Sequence, residues 1–285
     1  MSEKNRGFLV DVVLYTIAFA LAWIPFSRIE NLFTATAVFT AAATFVLFLA
    51  SVVLSDVSVY DPYWSVAPPV MVLADVLKYR LYNINSLILL IVISIWSIRL
   101  TWNWYETYPG IGKEDWRYAM YRKKLPPAVF QIVSFFGLHF MPTIVVYLGL
   151  VGTLFSIQKT AFVPLCLIGA AVSLGAVLLE YVADQSIHRF IREHKGERRT
   201  CDVSVWKYSR HPNYLGEMSF WTGLYLYFVA VCPESWVYGL CFLAVIVLFL
   251  TVSIPMMEKH NLERRPDYAD YQKRTSKILL LPPKQ

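Results

Sequence analysis

The chain falls into apolar blocks about as long as a bilayer is thick, separated by short polar segments, and that alternation limits what it can become. The blocks run from Phe8 to Phe26, Leu32 to Leu54, Trp64 to Tyr79, Ser86 to Tyr105, Phe130 to Gly152, Ala161 to Asp184, Asn213 to Val231 and Trp236 to Met257. Most exceed the ~17 residues a spanning helix needs. In hydrocarbon every backbone N–H and C=O must be satisfied within the protein, which an α-helix achieves inside a single segment. The expected fold is therefore all-α, a polytopic transmembrane helical bundle forming one integral membrane domain over residues 1–285. The third block is short and holds Pro68, Pro69 and Asp75, which leaves a broken or re-entrant helix open and the span count at seven or eight.

Composition and charge agree with a lipid solvent. Hydrophobic residues make up 57% of the chain and charged residues 16%, against roughly a quarter charged in soluble domains. With eight crossings, one side collects Lys4 and Arg6, the Lys113 to Lys124 loop, the Arg189 to Arg210 segment and the basic tail, while the other receives Arg28, Lys78, Arg80 and Lys159. The positive-inside rule then puts the basic loops and the C-terminus in the cytosol, in an endoplasmic reticulum or bacterial inner membrane. The net charge of +6 reads as a topology signal that also suits anionic lipid or a polyphosphorylated ligand, and it does not point to nucleic acid. Cys166, Cys201, Cys232 and Cys241 show no disulfide or metal spacing, and no metal site is expected. The first block lacks a small-residue cleavage site and reads as a retained helix. Oligomeric state is left open.

In such a chain the informative residues are the polar ones lodged beside apolar segments, because each is costly unless paired or wetted. Asp56 and Asp61 join the second and third blocks on an otherwise basic side. Arg99, Asn103 and Glu106 follow at i, i+4 and i+7 on one helix face, and a charged aromatic loop with Arg117 and Tyr118 comes after. Glu180, Asp184 and His188 share a face at the end of the sixth block, with Arg189 beside them. The densest cluster is Arg210-His211-Pro212-Asn213-Tyr214-Leu215-Gly216-Glu217. Pro212 suits the first turn of a helix, so Arg210 and His211 sit beside a helix N-terminus that attracts anions. Asn213 and Glu217 lie one turn apart, and Gly216 lets a neighbour approach closely. The tail adds Glu258, Tyr268 and Tyr271 and reads as an amphipathic helix closing over the site.

The string from Arg210 to Glu217, preceded by Trp206 and Tyr208, resembles the C-terminal signature of the steroid 5-alpha-reductase family, most closely its broadly distributed and poorly characterised branch. The branch's other marks appear in order: Asp61 to Trp64, Trp96 to Leu100, Gly112 to Tyr118, Asp184 with Gln185, and Glu258 followed by Tyr268 and Tyr271. The resemblance covers about residues 50 to 283, so residues 1–54 read as N-terminal helices and 55–283 as the reductase-like region. It implies NADPH held inside the bundle at the cytosolic side, with the nicotinamide toward a lipid-accessible cavity. By matching positions, Arg99, Asn103, Arg117, Tyr118, Asp184, Arg189, Arg210, His211, Asn213, Glu217, Tyr268 and Tyr271 become candidate cofactor residues. The steroid enzymes carry Glu where Asp61 aligns and Tyr where Trp96 aligns, so the resemblance does not select steroid as the substrate.

The implied reaction is hydride transfer to the β-carbon of an α,β-unsaturated carbonyl in a lipophilic substrate, steroid-like or isoprenoid-like. Charge then grows on the carbonyl oxygen, and a donor placed there lowers the barrier. Asp61 is the expected donor, kept protonated by desolvation near the membrane, with Tyr63 or the Trp96 indole as a second. There is no Gly-x-Gly-x-x-Gly, so side chains must replace a Rossmann domain. The rival reading is an S-adenosylmethionine-dependent methyltransferase of the isoprenylcysteine type, which shares a shorter Arg-His-Pro-x-Tyr.

Overall fold

The structure is a computed structural model describing residues 2–284, and its apolar blocks are helices. They are α1 (Glu3–Arg28), α2 (Leu32–Leu54), α3 (Tyr63–Lys78), α4 (Ile84–Thr107), α5 (Trp116–Lys124), α6 (Pro127–Ser156), α7 (Cys166–Glu193), α8 (Pro212–Val231), α9 (Pro233–Arg264) and α10 (Tyr268–Arg274). Among the described residues there is no β-strand, only an isolated bridge between Ser209 and Ser276. Helices α1, α2, α4, α6, α7 and α9 are each long and apolar enough to cross a membrane, so the protein is a polytopic, membrane-embedded helical one. The chain forms two compact units, one ending at Thr160 and the other beginning at Ala161.

Local chemistry sets the helix starts. Ser2, Asn31, Asn83 and Asp115 each accept a backbone N–H from the first turn of α1, α2, α4 and α5, satisfying a donor that the helix itself leaves open. Pro212 opens α8 as the sequence suggests, its missing N–H costing nothing there. Helix α3 is continuous through Pro68 and Pro69, not broken. The two prolines are adjacent in its second turn, so the lost hydrogen bonds fall side by side near one end.

In the first unit α1 and α2 are joined by a tight turn and pack through Tyr15, Ala18, Ala22 and Phe26 against Ala35, Phe39 and Ala43. Thr36, Thr40 and Thr44 form a polar stripe along α2 at four-residue spacing, and each has a separate partner. Thr36 donates to the Asp75 carboxylate at 2.8 Å, Thr40 meets the Tyr63 hydroxyl at 2.6 Å, and Thr44 meets Thr143 at 2.6 Å. In hydrocarbon such bonds have no competing water, and they fix α2 against α3 and α6.

Two helices contain a widened π turn, Ser134–Phe140 in α6 and Phe249–Ser253 in α9. Each ends two residues before a proline, Pro142 or Pro255. A proline inside a helix collides with the carbonyl of the preceding turn, and widening that turn relieves the collision. In α6 the ring of His139 donates from Nδ1 to the Ser134 carbonyl at 2.9 Å, closing the widened turn with a side chain.

In the second unit α7 and α8 approach closely along a seam of small residues. A Cβ on Gly223 would lie 2.6 Å from the Ser173 nitrogen and 2.7 Å from the Gly169 carbonyl. One on Gly216 would lie 3.1 Å from the Ala176 carbonyl and overlap Glu180 Cγ, so the close approach read at Gly216 has Glu180 as its neighbour.

Candidate functional site

The first unit builds an acidic turn and locks a loop onto it. Ser55 ends α2 in the left-handed region, and Asp56 caps the following short helix by accepting from Ser58 N at 2.9 Å. Its second oxygen accepts from Gly112 N at 2.7 Å, at a glycine whose φ of 83° suits few other residues. Ser58 Oγ accepts from Asp115 N at 2.9 Å, and Val57 N donates to Glu114, which Arg122 clamps through two nitrogens at 2.7 and 2.9 Å. These bonds deliver Tyr118 to Asp61. The Tyr118 hydroxyl donates to Asp61 Oδ1 at 2.5 Å, and Arg117 is held nearby through Asp115 at 2.7 Å.

Burial pushes the Asp61 carboxyl up from an ordinary 3.8 to about 7. The Tyr118 hydrogen bond and the Arg117 charge pull the other way, while Asp115 and Asp56 add to the rise. Asp61 is only half-buried. The result is a hydrogen-bonded carboxyl shifted toward neutrality.

The other candidates of this unit are placed differently. Tyr63 is fully buried, and its hydroxyl is engaged with Thr40 on α2, so the structure does not join it to the Asp61 carboxyl. Its ring stacks on Tyr60 with centroids 4.9 Å apart. Trp96 is fully buried on α4, one turn from the half-buried Arg99 and two from Asn103. Asn103 Oδ1 is buried without a hydrogen-bond partner among the described residues.

Asp11 belongs to this region and was not among the residues expected from sequence. It is 3% exposed on α1, and neither carboxylate oxygen has a partner among the described residues. Tyr108 faces it without meeting hydrogen-bond geometry, and Tyr15, one turn on, donates to the Val59 and Tyr60 carbonyls next to Asp61. The signal was legible as a lone acid in the first apolar block.

In the second unit the α7–α8 seam carries three buried acids, Glu180, Asp184 and Glu217. Glu217 accepts from the Trp221 indole at 3.0 Å, and Asn213 lies half-buried one turn before it. Arg210 is committed to the protein itself. It donates to Glu258 at 2.7 Å and to the Gln272 and Thr275 carbonyls at 2.8 Å each, so it clamps the tail instead of presenting an open fork. His211 reaches the same Glu258 oxygen at 3.4 Å and stacks on Tyr214. Burial holds its pKa below the usual histidine range, against the pull of Glu258.

The tail closes by the same kind of contact. Tyr271 is buried and donates to the Trp206 and Ser209 carbonyls, while the buried Tyr268 hydroxyl has no partner among the described residues. Beyond α10 an extended strap follows: Arg210 N donates to Ser276 O at 2.9 Å and Ser209 Oγ to Ile278 O at 2.6 Å. Arg189 stands apart, exposed and paired with Glu193 at 2.8 Å. No group of three His, Cys, Asp or Glu among the described residues could hold a metal.

These features define an all-helical polytopic membrane protein with an acid–tyrosine pair in one unit and a cluster of buried acids in the other. The chain belongs to the family described as "Protein of unknown function (DUF1295)", whose model matches residues 47–275. It is similar to an uncharacterized protein of Schizosaccharomyces pombe, 27% identical over 260 residues that span 82% of this chain and 75% of that protein. No solved structure matches the chain.

Proposed function

We propose that the protein is an NADPH-dependent membrane reductase that saturates the C=C bond of an α,β-unsaturated carbonyl in a lipophilic substrate, as its resemblance to the steroid 5-alpha-reductases implies. The observation that carries the reading is the Asp61–Tyr118 pair, a carboxyl poised near neutrality and reached by a hydroxyl 57 residues away. When bound, NADPH would supply the hydride for the β-carbon. The electron pair of the C=C bond then moves toward the carbonyl oxygen, where Asp61 donates its proton and quenches the growing charge. Tyr118 holds the resulting carboxylate; as the enol returns its O–H proton to that carboxylate, the α-carbon takes a proton from water, which restores the carbonyl and leaves the carbon–carbon bond saturated.

The residues present fit a dinucleotide in their donor and acceptor types. In the second unit Asn213 offers an amide, Asp184 and Glu217 offer carboxylates suited to ribose hydroxyls, and the Tyr268 hydroxyl is a buried polar atom without a partner among the described residues. Arg210, His211 and Tyr271 act one step back, holding the loop before α8. Arg117 and Arg189 each add positive charge to a polar segment that this reading places in the cytosol.

The test is thermal unfolding in detergent with NADPH and, separately, with S-adenosylmethionine, since a ligand that binds the folded state raises the melting temperature. The reading expects stabilisation by NADPH alone, lost in Glu217→Gln and Asn213→Ala variants that still insert and fold. Stabilisation by S-adenosylmethionine instead would transfer the chain to the methyltransferase reading, and stabilisation by neither would remove both.

A further inference from the structure

The second unit carries an apolar surface that its own fold leaves open and that lies outside the membrane-crossing helices. Leu279, Leu280 and Leu281 are 58%, 43% and 50% exposed, three large apolar residues in succession. Tyr208 and Val203 add further exposed apolar area on the segment to which the strap is bonded. An extended strand would turn alternate residues inward. Here Leu281 N donates to Leu279 O at 2.9 Å, a tight turn that breaks the alternation and leaves all three leucines outward.

The patch is held, not loose. Leu281 N also reaches Tyr208 O at 3.2 Å, Lys284 N donates to Arg274 O at 2.8 Å, and the strap's partners at 208–210 immediately precede α8. Trp206 donates to the Ala183 carbonyl at 2.9 Å, which sets this segment against the polar end of α7, one of the membrane-crossing helices. Exposed Lys207, Lys277 and Lys284 flank the leucines in sequence or through these bonds. A fixed apolar patch bordered by lysines, beside the polar end of a membrane-crossing helix, matches the headgroup–acyl boundary of a bilayer: the leucines fit the acyl side and the ammonium groups fit lipid phosphates.

We propose that Leu279–Leu281, with Lys207, Lys277 and Lys284, is a membrane-surface docking site that inserts into the boundary of the lipid bilayer and selects anionic phospholipid there. The site does not depend on the reductase reading. Its consequence is mechanical: the strap closing on Ser209, Arg210 and Tyr271 is tied to the membrane, so the order of that loop follows lipid composition.

The test uses the full chain in nanodiscs of phosphatidylcholine alone or with phosphatidylserine. A nitroxide is placed at Leu280→Cys in a Cys241→Ala background, the remaining cysteines being buried. Depth is read from collisions with dissolved oxygen and with an aqueous nickel complex. In anionic discs the label is expected to be shielded from nickel several-fold better than in phosphatidylcholine. Each lysine contributes about a five-fold preference for an anionic surface, so changing all three to Gln should abolish the difference between the two discs. A label equally open to nickel in both discs overturns the proposal. So does equal shielding in both discs, which would leave the lysines no role.

Discussion

Tyr118→Phe keeps the ring and removes one hydroxyl, the one that donates to Asp61 Oδ1 at 2.5 Å. That bond favours the carboxylate over the acid, so its loss moves the Asp61 pKa further up from about 7. A hydrogen bond to a charged group contributes about 1.5–3 kcal/mol and one pKa unit corresponds to about 1.4 kcal/mol, which makes the rise roughly one to two units. The assay is the infrared C=O stretch of the protonated carboxyl, taken as the difference between the parent and its Asp61→Asn counterpart across a pH series in nanodiscs. The native chain should show a band that disappears near pH 7, and the Tyr118→Phe chain one that persists roughly one to two units higher. A native midpoint in the ordinary carboxylate range, or a lower midpoint in the variant, refutes the reasoning. The linkage has a definite sign. Because the folded pKa lies above the unfolded 3.8, ionising Asp61 opposes folding, and the native state loses stability as pH rises from that value toward about 7. Asp61→Asn should therefore flatten the decline in melting temperature over that window.

The other expectations concern the second unit. Gly223→Ala drives a Cβ against the Ser173 and Gly169 backbones and should destabilise by about 1–3 kcal/mol, read as a lower melting temperature in detergent. Gly175→Ala meets open space and should be neutral or slightly stabilising; equal effects at the two sites would remove the seam argument. Glu258→Gln strips Arg210 and His211 of their shared acid, and losing a partly buried charge-assisted hydrogen bond of this kind costs about 1.5–3 kcal/mol. Hydrogen exchange over residues 266–284 should accelerate sharply, and unchanged protection there would show that the backbone bonds of the strap suffice.

The helices were legible because each apolar block had to satisfy its own backbone in lipid, and the caps at Asn31, Asn83 and Asp115 are local in sequence. Gly216 and Pro212 were legible for the same reason, their chemistry being confined to one turn. Arg210 was not. Its partners are Glu258, 48 residues on, and two backbone carbonyls that leave no mark in the sequence, so an arginine beside a helix N-terminus read as an anion site. Tyr63 was misleading in the same way, since nothing in the turn around it reveals that Thr40 takes its hydroxyl. Asp11 was visible as an acid in an apolar block, but its place beside the Asp61 turn depends on how α1 packs. Asp61 with Tyr118 was legible only as two separate marks, because the bonds joining them run through Asp56, Ser58 and Glu114 across a long stretch of chain.

The widened turns of α6 and α9 also affect how this chain compares with its relatives. A π turn accommodates one residue more than an α turn in the same place, so losing a single residue between 134 and 140 would return α6 to regular winding without moving either end far. Keeping the extra residue rotates everything downstream by about 100° relative to a helix without it. Thr143, which meets Thr44 and Tyr60, lies just past that rotation. A one-residue gap in this stretch of a relative would therefore record a change of helical winding inside the membrane, and the facing residue at position 143 would be expected to change with it.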